Sequence, residues 1–139
     1  MSQAIIIIKP DAIERNLTEI LITRILKEFK LVSIKNVIFT KELCDVHYAE
    51  HINKSFYPGL KQAMVGKMVF VLAVSADDII CNDGILQSPI RTFCNQIRRE
   101  YVDSQYVGPR NIIHCSDSEA AALREWNIWF SEPKSLVIE

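Results

Sequence analysis

Histidine is scarce in this chain: His47, His51 and His114 are the only three among 139 residues. His114 has the most suggestive surroundings. It follows Asn111-Ile112-Ile113 and precedes Cys115-Ser116-Asp117-Ser118, so an apolar strand ends on an imidazole and a helix start comes straight after. Free N–H groups and the dipole at a helix start favour an anion there. A neutral imidazole is a competent nucleophile toward phosphorus and can hold a covalent intermediate. Such a ring needs another group to orient it. Glu125, two to three turns into the following helix, can do so if that helix packs back across the strand. The plainer alternative is a core histidine with its hydrogen bonds satisfied.

Two other groupings invite chemistry. Lys9-Pro10-Asp11 puts a cation at the mouth of an isoleucine strand, where α/β folds bind ligands; the alternative is a lysine snorkelling from a strand end. His47-Tyr48-Ala49-Glu50-His51 fits H-x-x-E-H, an inverted zinc-protease pattern that still needs a third ligand and a substrate cleft. Its alternative is a polar helix face with two solvated imidazoles. The stretch from Gly59 to Met68 is not a phosphate-binding P-loop: six residues separate Gly59 from Gly66, and Met68 stands where the magnesium-binding hydroxyl belongs.

Regular elements must hold these residues in place. Ala4–Lys9 reads as a first strand stopped by Pro10. Asn16 with Glu19 reads as a capping box, and Leu17, Ile20, Leu21, Ile25 and Leu26 behind it recur at helical spacing to Phe29 or Lys30. Leu31–Phe39 is a second strand, and Thr40 caps a helix running to about His51. Phe56-Tyr57-Pro58-Gly59 reads as a turn before a short helix to Val65, and Met68–Val74 is a third strand. Ala76–Asp83 reads as a short helix or turn, Pro89–Tyr101 as helix or ordered loop, Gln105–Arg110 as a loop and Asn111–Cys115 as a fourth strand. Ser116-Asp117-Ser118-Glu119 is a second capping box, with Ala122, Trp126 and Trp129 on one face behind it. The expected fold is α/β (α+β), a ferredoxin-like β-α-β-β-α-β sandwich with a four-stranded antiparallel sheet and helices packed on it.

Composition excludes several classes. The chain carries 16 Lys+Arg against 17 Asp+Glu, so no basic excess supports nucleic-acid binding. Apolar residues make up 49%, the balance of a globule, and residues 1–139 are expected to form one domain. The apolar run Ala4–Ile8 is too short for a membrane span or a signal segment, so a cytoplasmic location is expected. Cys44, Cys81, Cys94 and Cys115 form no C-x-x-C pair and are expected to be free thiols, mostly buried. The first and third strands are apolar on both faces. If helices cover one side of the sheet only, a second copy of the chain is expected to hide part of the other.

The residues together resemble the nucleoside diphosphate kinase family over nearly the whole chain. Ile8-Lys9-Pro10-Asp11 is similar to its first motif, His47-Tyr48 and Phe56-Tyr57-Pro58-Gly59-Leu60 to its base-binding helical hairpin, and Asn111–Ser118 to its active-site signature, with Cys115 where Gly or Ala is usual. Glu125 and Trp129-Phe130 fall at the family's spacing after the histidine. The resemblance implies a ping-pong phosphotransferase acting on nucleoside tri- and diphosphates. It implies Mg²⁺ carried by the nucleotide phosphates, no metal held by the protein itself, and a homo-oligomer, usually a hexamer or tetramer. Carried over by position, His114 is the phosphorylated nucleophile, and Glu125 orients it with help from Ser116. Lys9 and Tyr48 contact the transferred phosphate, and Arg98 is a phosphate-binding arginine. Phe56 stacks on the base with Leu60 beside it, Asn111 bonds the sugar hydroxyl, and Val107 lines the base side.

The chain departs from the family between Ser75 and Asn111. Asn82 stands about where a phosphate-clamping arginine is usual, and Gln87 or Ser88 where a threonine is usual, with Arg91 near enough to substitute. Loss of one charge-assisted clamp costs about 1.5–3 kcal/mol, roughly ten- to a hundredfold in affinity. That departure keeps a second reading open, a nucleotide-binding regulatory module of the same fold with weak or no turnover.

Overall fold

A computed structural model describes residues 2–77, 79–80 and 86–130. Strand β1 (Ser2–Ile8) leads directly into a short helix α1 (Pro10–Glu14). Helix α2 (Thr18–Glu28), edge strand β2 (Lys30–Ile38), helix α3 (Lys41–His47), a 3₁₀ turn (Ala49–His51) and helix α4 (Tyr57–Met64) follow. Strand β3 (Met68–Ala76) precedes a small ribbon of β4 (Ile79–Ile80) and β5 (Leu86–Gln87). Helix α5 (Pro89–Glu100), strand β6 (Ile113–Cys115) and helix α6 (Glu119–Trp129) complete the order. Among the described residues no helix is long and apolar enough to cross a membrane.

The main sheet runs β2-β3-β1-β6, with every neighbouring pair antiparallel. This is the expected four-stranded antiparallel, ferredoxin-like arrangement. The isoleucine strand occupies the interior of the sheet because it can bury both faces. Ile6 and Ile8 point to a core shared with Leu21 and Ile25 of α2 and Ile90, Cys94 and Ile97 of α5. Ile5 and Ile7 point the opposite way, against Phe39, Leu60, Met64 and Trp129. The two-residue period of a strand makes that division, and each buried isoleucine contributes about 1.5–3 kcal/mol.

Helices from the same chain pack on both faces of the inner strands. Val32, Ile34 and Ile38 of edge strand β2 remain exposed, so part of the apolar sheet is left uncovered by this chain.

Local signals were misread where one residue type serves two purposes. Pro10 does end the first strand, and it also takes the first helical position of α1, where its missing N–H is harmless. Asn16 does not cap α2. It sits at φ 61° and closes α1, with the Asn16 N–H donating to Ile13 O and the Leu17 N–H to Ala12 O in a Schellman motif. Pro58 likewise lies in the first turn of α4, so the expected turn at Phe56–Gly59 is already helix from Tyr57. Thr40 does cap α3, accepting from the Leu43 N–H, but the helix stops at His47. Ser118, not Ser116, caps α6, accepting from the Ala121 N–H. The region read as Ala76–Asp83 contributes β4; residue 78 and residues 81–85, with Asn82 and Cys81, lie outside the described residues. Cys44, Cys94 and Cys115 are free thiols.

Candidate active site

The site forms where β1 ends against β6. The Lys9 N–H donates to the Ile112 carbonyl at 2.9 Å, joining the mouth of β1 to the approach of β6. Asp11, in the first turn of α1, accepts from the Ile112 N–H at 2.9 Å. Ile112 is held at φ 64°, a conformation β-branched residues rarely adopt. The carboxylate thus pins a strained residue two positions before His114. The Lys9 ammonium donates to the Pro109 carbonyl and to Asn111 Oδ1, both at 2.8 Å. Burial pulls the Lys9 pKa down to about 8; nearby Asp11 opposes that shift and Arg98 adds to it.

His114 lies opposite Ile7 in the β1–β6 register, and α6 packs back across β1 to bring Glu125 to it. The His114 Nε2 and Glu125 Oε1 are 2.9 Å apart. Ser116 Oγ donates to the same oxygen at 2.9 Å and accepts from the Ile5 N–H at 2.9 Å. Ser116 is therefore anchored to β1 and steadies the carboxylate, which explains why it does not cap α6. An ionised Glu125 can only accept, so His114 carries its proton on Nε2 and presents a lone pair on Nδ1. Burial, with Lys9 and Arg98 nearby, holds His114 well below the ordinary histidine pKa, so the ring is neutral near pH 7. Burial pushes the Glu125 pKa up, and the His47 ring and the Ser116 hydroxyl offset only part of that rise.

A cavity of about 350 Å³ opens onto His114. Lys9, Tyr48, Phe56, Leu60 and Arg98 line it, together with His51, Gly108 and Pro109. Arg98 is placed by its Nε, which donates to the Ile113 carbonyl at 3.0 Å, and by its Nη1 bond to Asn95 Oδ1 at 2.8 Å. Phe56 is 53% exposed, its ring centroid 5.4 Å from that of His51. A largely exposed aromatic at the mouth, two cations deeper in and a neutral imidazole on the wall suit a flat ligand that bears phosphate. A second recess of about 490 Å³ meets His114 from the side of Cys115, Asp117 and Arg124.

The sequence model for "Nucleoside diphosphate kinase" matches residues 2–135. The chain belongs to the nucleoside diphosphate kinase family. A nucleoside diphosphate kinase of Staphylococcus haemolyticus is 38% identical over 136 residues, covering 95% of this chain and 89% of that protein. One from Listeria monocytogenes serotype 4b is 34% identical over 140 residues, covering 98% and 93%. The fold matches the crystal structure of the apo nucleoside diphosphate kinase from Encephalitozoon cuniculi with a TM-score of 0.72 at 24% identity, covering 95% and 90% of the two chains. The chain is thus an enzyme of the phosphotransferase class.

Of the residues the family resemblance singles out, the fold gathers His114, Glu125, Ser116, Lys9, Tyr48, Phe56, Leu60 and Arg98. Asn111 meets them through its bond to Lys9. Val107 does not line the cavity. It is 61% exposed at a turn where the Arg110 N–H returns to its carbonyl, leaving Gly108 and Pro109 on the wall. Arg91 is exposed two helical turns before Arg98 and does not line the cavity either.

The H-x-x-E-H reading fails on geometry. His47 ends α3 while His51 sits in the separate 3₁₀ turn, so the two rings do not share one helix face. Sequence reasoning missed Asp11's grip on Ile112, the Pro109 carbonyl and the His51 wall. The triplet Lys9-Pro10-Asp11 was the one visible hint of the first.

Proposed function

We propose that this chain moves the γ-phosphoryl group of a nucleoside triphosphate to a nucleoside diphosphate in two half-reactions through a phosphohistidine at His114. The observation that carries the reading is the tie between His114 Nε2 and Glu125 Oε1, which leaves the lone pair on Nδ1 of a ring that lines an accessible cavity. In the first half-reaction Nδ1 attacks the γ-phosphorus in line. An N–P bond forms, the bond to the β,γ-bridging oxygen breaks, and the nucleoside diphosphate leaves with that electron pair. The Nε2 proton stays against Glu125, which balances the positive charge growing on the ring. The second half-reaction reverses these steps with a different diphosphate.

Lys9 and Arg98 offset the phosphoryl charge, and Tyr48 contacts the group in transit. Phe56 stacks on the base with Leu60 beside it, an arrangement that tolerates any base because each has a flat π-face. Asn111 bonds the sugar hydroxyl. No carboxylate lines the nucleotide cavity among the described residues. Magnesium binds oxygen ligands and dehydrates reluctantly, so it enters as part of the substrate, on the phosphates and their water.

Incubation with γ-labelled ATP and Mg²⁺ but no acceptor tests this. The expected result is a protein label that survives base, is lost in acid and disappears on adding diphosphate. His114→Ala should give none. Retained transfer in that variant overturns the proposal, and tight nucleotide binding without label returns the chain to the regulatory-module reading.

A further inference from the structure

Behind the His114–Glu125 pair lies a second, deeper imidazole that the mechanism above does not use. His47 is buried at the C-terminus of α3, its ring centroid 4.7 Å from that of His114. The Trp129 indole N–H meets its Nδ1 at 3.0 Å. An indole N–H can only donate, so Nδ1 must be the acceptor. Burial, with His114 nearby, holds the His47 pKa down at about 3, so the ring is neutral and carries its one proton on Nε2. That Nε2 is sealed from solvent and has no hydrogen-bond partner.

One ligating atom each from His47, His114 and Glu125 lie within 4.8 Å of one another, which on distance alone resembles a metal site. The indole argues against that use. With Nδ1 accepting from Trp129, Nε2 bears a hydrogen and has no lone pair to give a cation. What stands beside the pair is a fixed neutral donor.

We infer that His47 is a positioning residue: held in its Nε2–H form by Trp129, it supports the ionised Glu125 carboxylate and so keeps His114 in the form whose Nδ1 can attack. This rests on the phosphotransfer reading and deepens it. A protonated Glu125 would donate to His114 Nε2 and drive the ring proton onto Nδ1, removing the nucleophile. Burial favours that protonation. A neutral donor opposes it without adding a positive charge to the phosphate site. A ring nitrogen of His47 lies within 4.8 Å of a Glu125 oxygen while Nε2–H makes no hydrogen bond, so the ring acts on the carboxylate as a fixed dipole and not through a bond. The groups facing Glu125 are His47 and Tyr48 from the end of α3, His114 and Ser116 from β6 and the residue after it, and Asp117 and Arg124 flanking the start and body of α6. Of these, His47 is the one whose tautomer is set by the core.

The test is the titration of the His114 ring followed by ¹⁵N NMR without nucleotide, together with the acid limb of single-turnover phosphoenzyme formation. His47→Phe removes the donor and keeps an aromatic. It should move both readouts to higher pH by about one unit, a roughly tenfold loss below the midpoint. His47→Gln, which restores an N–H donor, should bring both back to within a few tenths of a unit of the unsubstituted enzyme. Should His47→Phe not fold, Trp129→Phe frees the tautomer while leaving a ring in the core, and it should shift the limb the same way by a smaller amount. An unshifted titration in a folded His47→Phe or Trp129→Phe protein overturns the inference. An unsubstituted enzyme that forms no phosphoenzyme overturns the kinase mechanism instead, and the ring titration still decides the role of His47.

Discussion

Replacing Asp11 by alanine perturbs the site through the backbone and not through substrate contact. The Asp11 carboxylate accepts the buried Ile112 N–H at 2.9 Å and holds that residue at φ 64°. Its loss orphans one buried donor, worth about 1–3 kcal/mol. A left-handed backbone at a non-glycine residue stores a further ~1–3 kcal/mol, which Asp11→Ala would let relax. Relaxation offsets part of the first loss, but it moves the chain two residues before His114. The expected net destabilisation is about 1–3 kcal/mol, or a fall in melting temperature of roughly 3–10 °C for a chain of this size. Phosphoenzyme formation should fall by more than tenfold in protein that is still folded, because His114 loses its line of attack. Asp11→Asn keeps an acceptor oxygen and should recover most of the melting temperature. The assays are differential scanning calorimetry and quenched-flow labelling on the same samples. Asp11→Ala protein that melts and labels like the unsubstituted enzyme would refute the claim that this carboxylate holds the nucleophile in place.

Other expectations are simpler. Glu125→Gln retains an acceptor oxygen but removes the charge that balances the phosphorylated ring; single-turnover labelling should slow roughly ten- to a hundredfold, with the Kd for nucleotide little changed by calorimetry. Because Lys9 is held down at about 8, it loses its charge as pH rises through that value. Accordingly, kcat/KM for the magnesium–ATP complex should decline on the alkaline side of about pH 8, and Lys9→Gln should show low activity without that decline. Phe56 is 53% exposed, so Phe56→Ala should leave the melting temperature nearly unchanged while weakening nucleotide binding by about 1–3 kcal/mol; a variant that binds nucleotide normally removes the stacking role.

Much of this was legible before any coordinates. The unbroken run Ile5–Ile8 reads as a strand buried on both faces, and an imidazole following Ile112-Ile113 reads as a strand-end residue. Glu125 reads as its partner on the condition that α6 folds back across the strand, which the structure shows it does. Short polar residues were less readable because their signals are degenerate. Asn16 suits a helix start and a left-handed helix end equally well, and Ser116 suits a cap and a buried bridge. Proline is ambiguous in the same way, since it both stops strands and begins helices. Contacts set by tertiary packing left no local trace. The Trp129–His47 bond joins positions 82 apart, and Asp11–Ile112 joins positions 101 apart. Helices on both sheet faces were missed because apolar residues on two sides of a strand do not say whose surface covers them.

The central position of β1 has a consequence during synthesis. Its neighbours in the sheet are made long after it: Ile7 pairs with Val71 and with His114. At about 5–20 residues per second, the first neighbour emerges roughly 3–13 s after the isoleucines and the second about 5–20 s after. Through that interval a short β-prone apolar segment waits with both edges unpaired, the composition most apt to associate with copies of itself. Ala12 of α1, then Leu21 and Ile25 of α2, are the first core partners to emerge after it, so these early helices are the earliest cover the strand can find before the rest of the sheet arrives.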